Sequence, residues 1–226
     1  MYNRSKYTMA EINLLAKYPQ VKRNFTKRAE EKTVEVRRIA RKFGKAFFDG
    51  ERKYGYGGFY YHPRFWTGVV ADIIKYYRLT NKSSILDVGC AKGFMLYDFQ
   101  KALPGAKLKG VDISTYAIDN ALTDVKPFLT VGNAKELDYP DKSFDLVISI
   151  NTVHNLPLNE CKQAIREIVR VSRENAFITI DAYRNTREKD RLERWNLTAK
   201  TYMSVDAWEK LFKEVGYTGD YWWFIP

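Results

Sequence analysis

Five short apolar runs separated by segments of helical pattern constrain this chain more than any other feature. The runs are Ser84–Val88, Leu108–Asp112, Phe128–Val131, Phe144–Ile150 and Ala176–Asp181. Between and after them the spacing predicts helices near 93–102, 115–124, 158–172 and 205–215, the last with Ser204 placed to cap it, and then a final apolar run from Tyr221 to Ile225. Strands that alternate with helices pair in parallel, and their crossovers cover both faces of the sheet. The expectation is an α/β fold built on a doubly wound, mostly parallel sheet.

The first third of the chain has another character. Val34, Ile39, Phe43 and Phe47 recur at helical intervals, which predicts helices within residues 5–48. Phe65, Trp66, Val69, Val70, Ile73 and Ile74 predict another from Arg64 to Leu79, ending near Asn81. Between these, Tyr54 to Pro63 holds three glycines and four tyrosines, so it reads as an aromatic-rich loop. The organisation that follows is a helical N-terminal extension, residues 1–82, ahead of a sheet-forming domain, residues 83–226.

Charge separates the same two parts. Residues 1–82 carry 19 Lys or Arg against 7 Asp or Glu, whereas residues 83–226 carry 19 against 20, so the net charge of +11 sits wholly in the extension. Such a surplus suggests an acidic partner, either a phosphorylated small molecule or a nucleic acid, with a merely solvated helix face as the alternative. At 45% hydrophobic and 29% charged, the composition is that of a globular chain and excludes a disordered one. No apolar run approaches the roughly 20 residues of a membrane helix, and no signal-type stretch follows the first residues. A soluble, cytoplasmic protein without a membrane partner is expected. Cys90 and Cys161 are too few for a disulfide framework or a four-cysteine zinc site, so reduced thiols and no metal are expected.

The chemistry concentrates where the first strand ends, at Asp87-Val88-Gly89-Cys90-Ala91-Lys92-Gly93. Glycine at a strand-to-helix turn lets backbone approach a ligand, and the helix start offers unpaired N–H groups. The run is not a dinucleotide turn, because Ala91 and Phe94 occupy its second and third glycine positions, and no phosphate loop is present. It resembles the first motif of the class I S-adenosylmethionine-dependent methyltransferases. Gly110-Val111-Asp112-Ile113-Ser114 is similar to that family's second strand, Gly132-Asn133-Ala134 to its adenine-binding segment, and Phe144–Ser149 to its fourth strand. The matches run in order across residues 84–182.

The resemblance implies a Rossmann-like fold, S-adenosylmethionine as cofactor and a role for each matched residue. Asp87 would support the amino-acid end of the cofactor, and Gly89 and Gly93 would allow close approach, with Cys90 as a small filler. Asp112 would bind ribose through two acceptor oxygens, Ile113 would pack on adenine, and Asn133 with Ala134 would meet the adenine edge. Two positions depart from the family: Ala91 replaces a glycine, and Asn133 stands where aspartate is commoner. The family usually closes with an antiparallel hairpin, whereas one strand-like run follows the last helix here, so the seventh strand is expected to be missing.

On the acceptor side the resemblance points to the residues after the fourth strand, Asn151 to Leu156, as those facing the methyl group. His154 there would take a proton from a hydroxyl or ammonium acceptor, or else hydrogen-bond the loop as a structural histidine. In the aromatic loop Tyr56, Tyr60, Tyr61 and Arg64 are candidates for a lid over the cofactor, with Tyr60 the next candidate base; the alternative is that these rings pack helices on the sheet. The Pro-Pro-aromatic run of adenine-N6 nucleic-acid enzymes and the Pro-Cys of cytosine-C5 enzymes are absent. The activity implied is methylation at O or N of a small, acidic or polar acceptor, with phosphorylated and sugar-containing molecules among the candidates. An RNA methyltransferase using the basic extension and a non-catalytic cofactor-binding protein are the alternatives. A nucleic-acid partner is not expected, and a homodimer is compatible with the sequence.

Overall fold

Each of the five apolar runs forms a strand in the computed structural model, which describes residues 9–20 and 24–226. In chain order these are β1 (Ser84–Val88), β2 (Lys107–Asp112), β3 (Leu129–Val131), β4 (Phe144–Ile150) and β5 (Ser172–Tyr183). Two more follow, β6 (Met203–Ser204) and β7 (Asp220–Phe224). The order across the sheet is β3-β2-β1-β4-β5, with β6 and β7 both paired to β5, and every ladder between these strands is parallel.

Side chains on successive strand residues point to opposite faces, and the sheet uses both for core. Ile85, Leu108, Leu146, Ile148 and Phe177 join one apolar cluster with Val70 and Ile73 of α4 (Pro63–Tyr77), Leu96 and Phe99 of α5 (Phe94–Ala102) and Ile118 of α6 (Thr115–Asp119). Leu86, Val88, Val147, Ile178 and Ile180 face the other way. They pack on Ile165 and Ile168 of α7 (Leu158–Val171) and on Trp208 and Phe212 of α9 (Val205–Glu214). Ser204 caps α9 by accepting the Ala207 N–H, as its position predicts.

Seven strands are present among the described residues, so the expected loss of the seventh is corrected. No closing antiparallel hairpin occurs among the described residues: β7 lies parallel to β5, with Phe177 opposite Asp220 and Asp181 opposite Phe224. The outer edge of β7 is covered by the N-terminal segment, where the Tyr221 N–H donates to the Ala10 carbonyl and the Ile12 N–H to the Tyr221 carbonyl. An edge strand leaves a row of backbone groups unpaired, and these two bonds satisfy part of it.

The helices expected within residues 5–48 are shorter and later than the pattern suggests. They are α1 (Phe25–Glu31), α2 (Val34–Ala40) and α3 (Lys45–Asp49), while residues 9–20 run without a helix and residues 5–8 and 21–23 lie outside the described residues. One helix escapes the pattern altogether, α8 (Thr186–Trp195), which packs beside α1 with the Phe25 and Trp195 rings 6.3 Å apart.

Candidate functional site

The carboxyl ends of β1, β2, β3 and β4 converge on the turn that follows β1. Gly89 adopts φ +90°, and a Cβ there would stand 2.0 Å from the Thr152 hydroxyl, so the turn lies directly against the segment after β4. Gly93, at φ +74°, begins α5, and its missing Cβ admits Leu129 and Val125. Ala91 takes the left-handed region at φ +48°, a conformation that costs a non-glycine residue about 1–2 kcal/mol.

That unusual backbone has a purpose. It directs the Ala91 N–H at one oxygen of Asp112, 2.8 Å away, while the Ser114 N–H meets the other at 2.8 Å. Burial raises the Asp112 pKa and the two amides pull it back. Each oxygen keeps acceptor capacity for a further donor. Beside it Ile113 is 55% exposed, an apolar side chain laid open at the mouth of the site. The Gly132 N–H donates to the Asp112 carbonyl, which brings Asn133 and Ala134 to the same rim, although the Asn133 amide oxygen already accepts the Lys135 N–H.

Asp87 is 4% exposed, and desolvation followed by repulsion from Asp112 pushes its carboxyl up to about 8. Cys90 is buried as well, and the same low-dielectric, acidic surroundings hold its thiol well above the ordinary range. Burial thus holds it as the thiol, and the thiolate is the reactive form.

On the acceptor side, Asn151 has φ +51°, its N–H donates to the Thr179 carbonyl and its amide oxygen accepts the Thr179 hydroxyl at 2.9 Å. The Asn155 amide oxygen nearby is buried without a partner among the described residues. His154 is 3% exposed, and its Nδ1 accepts the Asp181 N–H at 2.9 Å. A neutral imidazole with Nδ1 accepting must carry its proton on Nε2, so both nitrogens are spoken for. Desolvation, opposed by Asp181, lowers its pKa from the ordinary histidine value. In this tautomer neither nitrogen of the buried ring is free to take a proton.

The aromatic loop forms a cover over the glycine turn, and its key tie was not foreseen. Asp49, at the end of α3, accepts from Lys92 Nζ at 2.7 Å, the Tyr116 hydroxyl at 2.7 Å and the Phe59 N–H at 2.9 Å. Burial alone would raise its pKa, but these donors together hold it below the usual carboxylate value. Lys92 also donates to the Phe59 carbonyl, so the turn itself grips the loop. Phe59 stacks on Phe94 at 4.8 Å and meets Tyr56 at 4.3 Å. Desolvation raises the Tyr56 hydroxyl pKa, with Tyr18 and then Asp112 adding to it, which places that hydroxyl within electrostatic reach of the site.

The other loop candidates diverge. Tyr61 turns away to donate to Asp98 at 2.8 Å, Tyr60 is 75% exposed, and Arg64 lies over the Phe65 ring. His62 caps α4 through the Arg64 N–H. Nothing in the sequence marked Asp49, because its three partners come from three separate elements; Lys92, inside the turn motif, carried the only local signal.

Residues 86–180 match the Methyltransferase domain family model, and this span holds the turn, the Asp112 carboxylate and the segment after β4. Over this span the match agrees with the resemblance to the class I S-adenosylmethionine-dependent methyltransferases. It is 35% identical over 104 residues to ajmaline N-methyltransferase of Rauvolfia serpentina, covering 43% of this chain and 35% of that protein. It is 31% identical over 132 residues to tRNA (carboxymethyluridine(34)-5-O)-methyltransferase of Arabidopsis thaliana, covering 58% and 31%. The matched region is thus about a third of the length of these two relatives. The crystal structure of YcgJ from Bacillus subtilis shares the fold, with a TM-score of 0.54 and 19% identity over 65% of this chain and 66% of that chain. No described helix is long and apolar enough to cross a membrane.

Proposed function

We propose that this methyltransferase transfers a methyl group from S-adenosylmethionine to an oxygen or nitrogen of a small acidic or polar acceptor. The reading rests chiefly on Asp112, a carboxylate fixed by two amides with acceptor capacity to spare, beside the exposed Ile113. Two cofactor hydroxyls match those oxygens, and the ring of an adenine suits Ile113. Asp87, Gly89, Cys90 and Gly93 would line the amino-acid end, Asn133 and Ala134 the adenine edge, and Asn151 the methyl side. Asp87 is a buried acid with its pKa near 8, and it fits a cationic group, which would favour its ionised form.

The bound cofactor supplies a methyl carbon made electrophilic by a sulfonium. The chain's task is to hold the nucleophile in line with that carbon, since positioning contributes much of the rate of such a displacement. The segment after β4 does this by its rigidity: Asn151 is locked to Thr179 and His154 to Asp181. Tyr60, exposed on the loop, is the residue proposed to hydrogen-bond the nucleophile, with Tyr56 shaping the cover and Tyr61 and Arg64 bracing the loop through Asp98 and Phe65. We place the activity in the cytoplasm, the compartment that keeps Cys90 and Cys161 as free thiols.

Two measurements test the reading. Calorimetry with S-adenosylhomocysteine should show Asp112→Ala weakening binding by about 1–3 kcal/mol, the usual cost of stranding hydrogen-bonded groups; equal affinities would remove the ribose role. A labelled-methyl screen should label a metabolite pool and leave bulk RNA unlabelled. Labelling confined to RNA would favour the competing reading, which the basic extension and the tRNA-modifying relative support.

A further inference from the structure

A second concave site lies beside α2, away from the Asp112 cleft. It is a cavity of about 480 Å³ whose lining includes Arg37, Arg41, Glu193, Asn196, Lys200 and Tyr202. Its positive charge is not neutralised from within. Among the described residues neither Arg37, Arg41 nor Lys200 forms an ion pair, and Glu193 is engaged with Lys189 at 4.0 Å. The two arginines are held only by long bonds to carbonyl oxygens: Arg37 Nη1 to Leu197 at 3.4 Å, Arg41 Nε to Thr198 at 3.2 Å and Nη2 to Ala199 at 3.4 Å. A guanidinium has five N–H donors, so each keeps most of its capacity.

The surroundings strengthen this field. Lys32 donates to the carbonyls of Glu193 and Asn196, and burial together with repulsion from Arg37 and Arg28 brings its ammonium down to about 8. Buried Arg28 Nε has no partner among the described residues. Cations crowded together without counter-charges destabilise one another, and an anion relieves them all.

The wall of the cavity is tied to the reacting end of the sheet. The Lys200 and Thr201 N–H groups both donate to the His154 carbonyl at 3.0 Å, and the Thr201 hydroxyl to the Leu156 carbonyl at 2.8 Å. The Asn196 side chain closes the turn by bonding both backbone groups of Ala199. A group seated against this loop is therefore held in fixed relation to the segment after β4.

We infer that this cavity seats the phosphate of a small phosphorylated acceptor, with Arg37, Arg41 and Lys200 supplying the donors. This rests on the methyltransferase reading for the word acceptor and deepens it by naming the acceptor's class. Three cations against one carboxylate that is itself paired with Lys189 suit a dianion, forked guanidinium donors suit phosphate oxygens, and the volume leaves room for the organic body attached. His154 then acts through its backbone carbonyl, which fixes the anion-binding loop.

The test uses the full chain saturated with S-adenosylhomocysteine and titrated at constant ionic strength with ribose 5-phosphate, inorganic phosphate and ribose. Ribose 5-phosphate should bind one to one, phosphate more weakly and ribose not at all. Arg41→Gln and Lys200→Met should each weaken ribose 5-phosphate at least tenfold and leave S-adenosylhomocysteine affinity within twofold. Lys200→Met matters most, because its ammonium makes no hydrogen bond or ion pair among the described residues, so its loss spares the fold. Absent phosphate binding, or binding indifferent to both variants, overturns the proposal. So does an RNA oligonucleotide that binds through these residues when ribose 5-phosphate does not. Phosphate binding in a wild-type protein that fails to bind S-adenosylhomocysteine would overturn the acceptor role through failure of the family reading and leave the anion site itself standing.

Discussion

Asp87 and Asp112 are both buried beside the same turn, yet their charges are managed differently. Asp112 has an amide on each oxygen, whereas no hydrogen-bond donor is aimed at Asp87 among the described residues, and its carboxyl stays protonated up to about 8. A ligand cation placed against Asp87 should therefore displace a proton. At pH 7 binding of S-adenosylhomocysteine is expected to release roughly one proton per site, read as calorimetric enthalpies that differ between buffers of different ionisation heat. Buffer-independent enthalpies would show that no cation reaches Asp87. The same shift has a sign in stability: because the unfolded carboxyl ionises near 3.8, the folded chain holds the extra proton between there and about 8. The contribution of this group is complete below that window and falls as pH rises through it, a slope that Asp87→Asn should remove. The turn offers a paired backbone test. Gly89→Ala should destabilise by several kcal/mol and prevent cofactor binding, since the new Cβ meets Thr152 in a left-handed backbone. Ala91→Gly should be neutral or stabilising by up to about 1 kcal/mol in urea melts, because it relieves φ +48° at the cost of a freer unfolded chain. A strongly destabilised Ala91→Gly would mean that the methyl group packs and is not merely tolerated.

At the scale of elements, the cover is held by one carboxylate, Asp49, that joins α3, the loop and α6 to the glycine turn. Asp49→Ala should leave Lys92 buried without its counter-charge and release Tyr116. The expected results are faster proteolysis within residues 50–62 and faster dissociation of bound S-adenosylhomocysteine, with a melting temperature set by the sheet core little changed. Unchanged proteolysis and dissociation would show that aromatic stacking alone holds the cover. This device also marks where reading a sequence stops. The strands were legible because buried parallel strands are short unbroken apolar runs, and β1 and β4 have the very bounds that their runs predict. Helix α8 was not, because Leu192 is its one buried residue and no apolar stripe exists to be seen; its start is signalled only by Asn185 accepting the Glu188 N–H. The ribose-type carboxylate stood out through local spacing in a motif. His154 did not disclose its role, since the partner that engages Nδ1 lies on β5, 27 residues away in sequence. The Arg37, Arg41 and Lys200 cavity was visible only as a surplus of charge, because α2 and the loop that faces it are far apart in the chain.

Over the whole molecule, that surplus bears on the class of acceptor that the proposed activity would serve. The basic extension is not a detached tail: α4 places Val69, Val70 and Ile73 in the core with the sheet, and residues 10–12 pair with β7. Several of its cations are used inside the fold, Lys17 on Asp72, Arg38 on Glu35, and Arg28, Lys32, Arg37 and Arg41 on backbone carbonyls. Arg37 and Arg41, without a counter-charge among the described residues, meet Lys200 around one cavity, whereas non-specific RNA binding needs a stripe of cations that follows several phosphates, each releasing counterions on contact. One phosphate neutralised in a cavity predicts a shallow dependence on salt; an RNA track predicts a steep one. Filter binding of a single-stranded RNA between about 50 and 200 mM salt should therefore find weak binding throughout, with a log–log slope near that of one or two contacts and not the loss of about 10³–10⁵ expected for six to ten. Sub-micromolar RNA affinity at physiological salt with a steep slope would move the acceptor from a phosphorylated metabolite to a nucleic acid. The same titration on Arg41→Gln would then show whether the cavity is part of that track, since removal of one phosphate contact lowers the slope by about one.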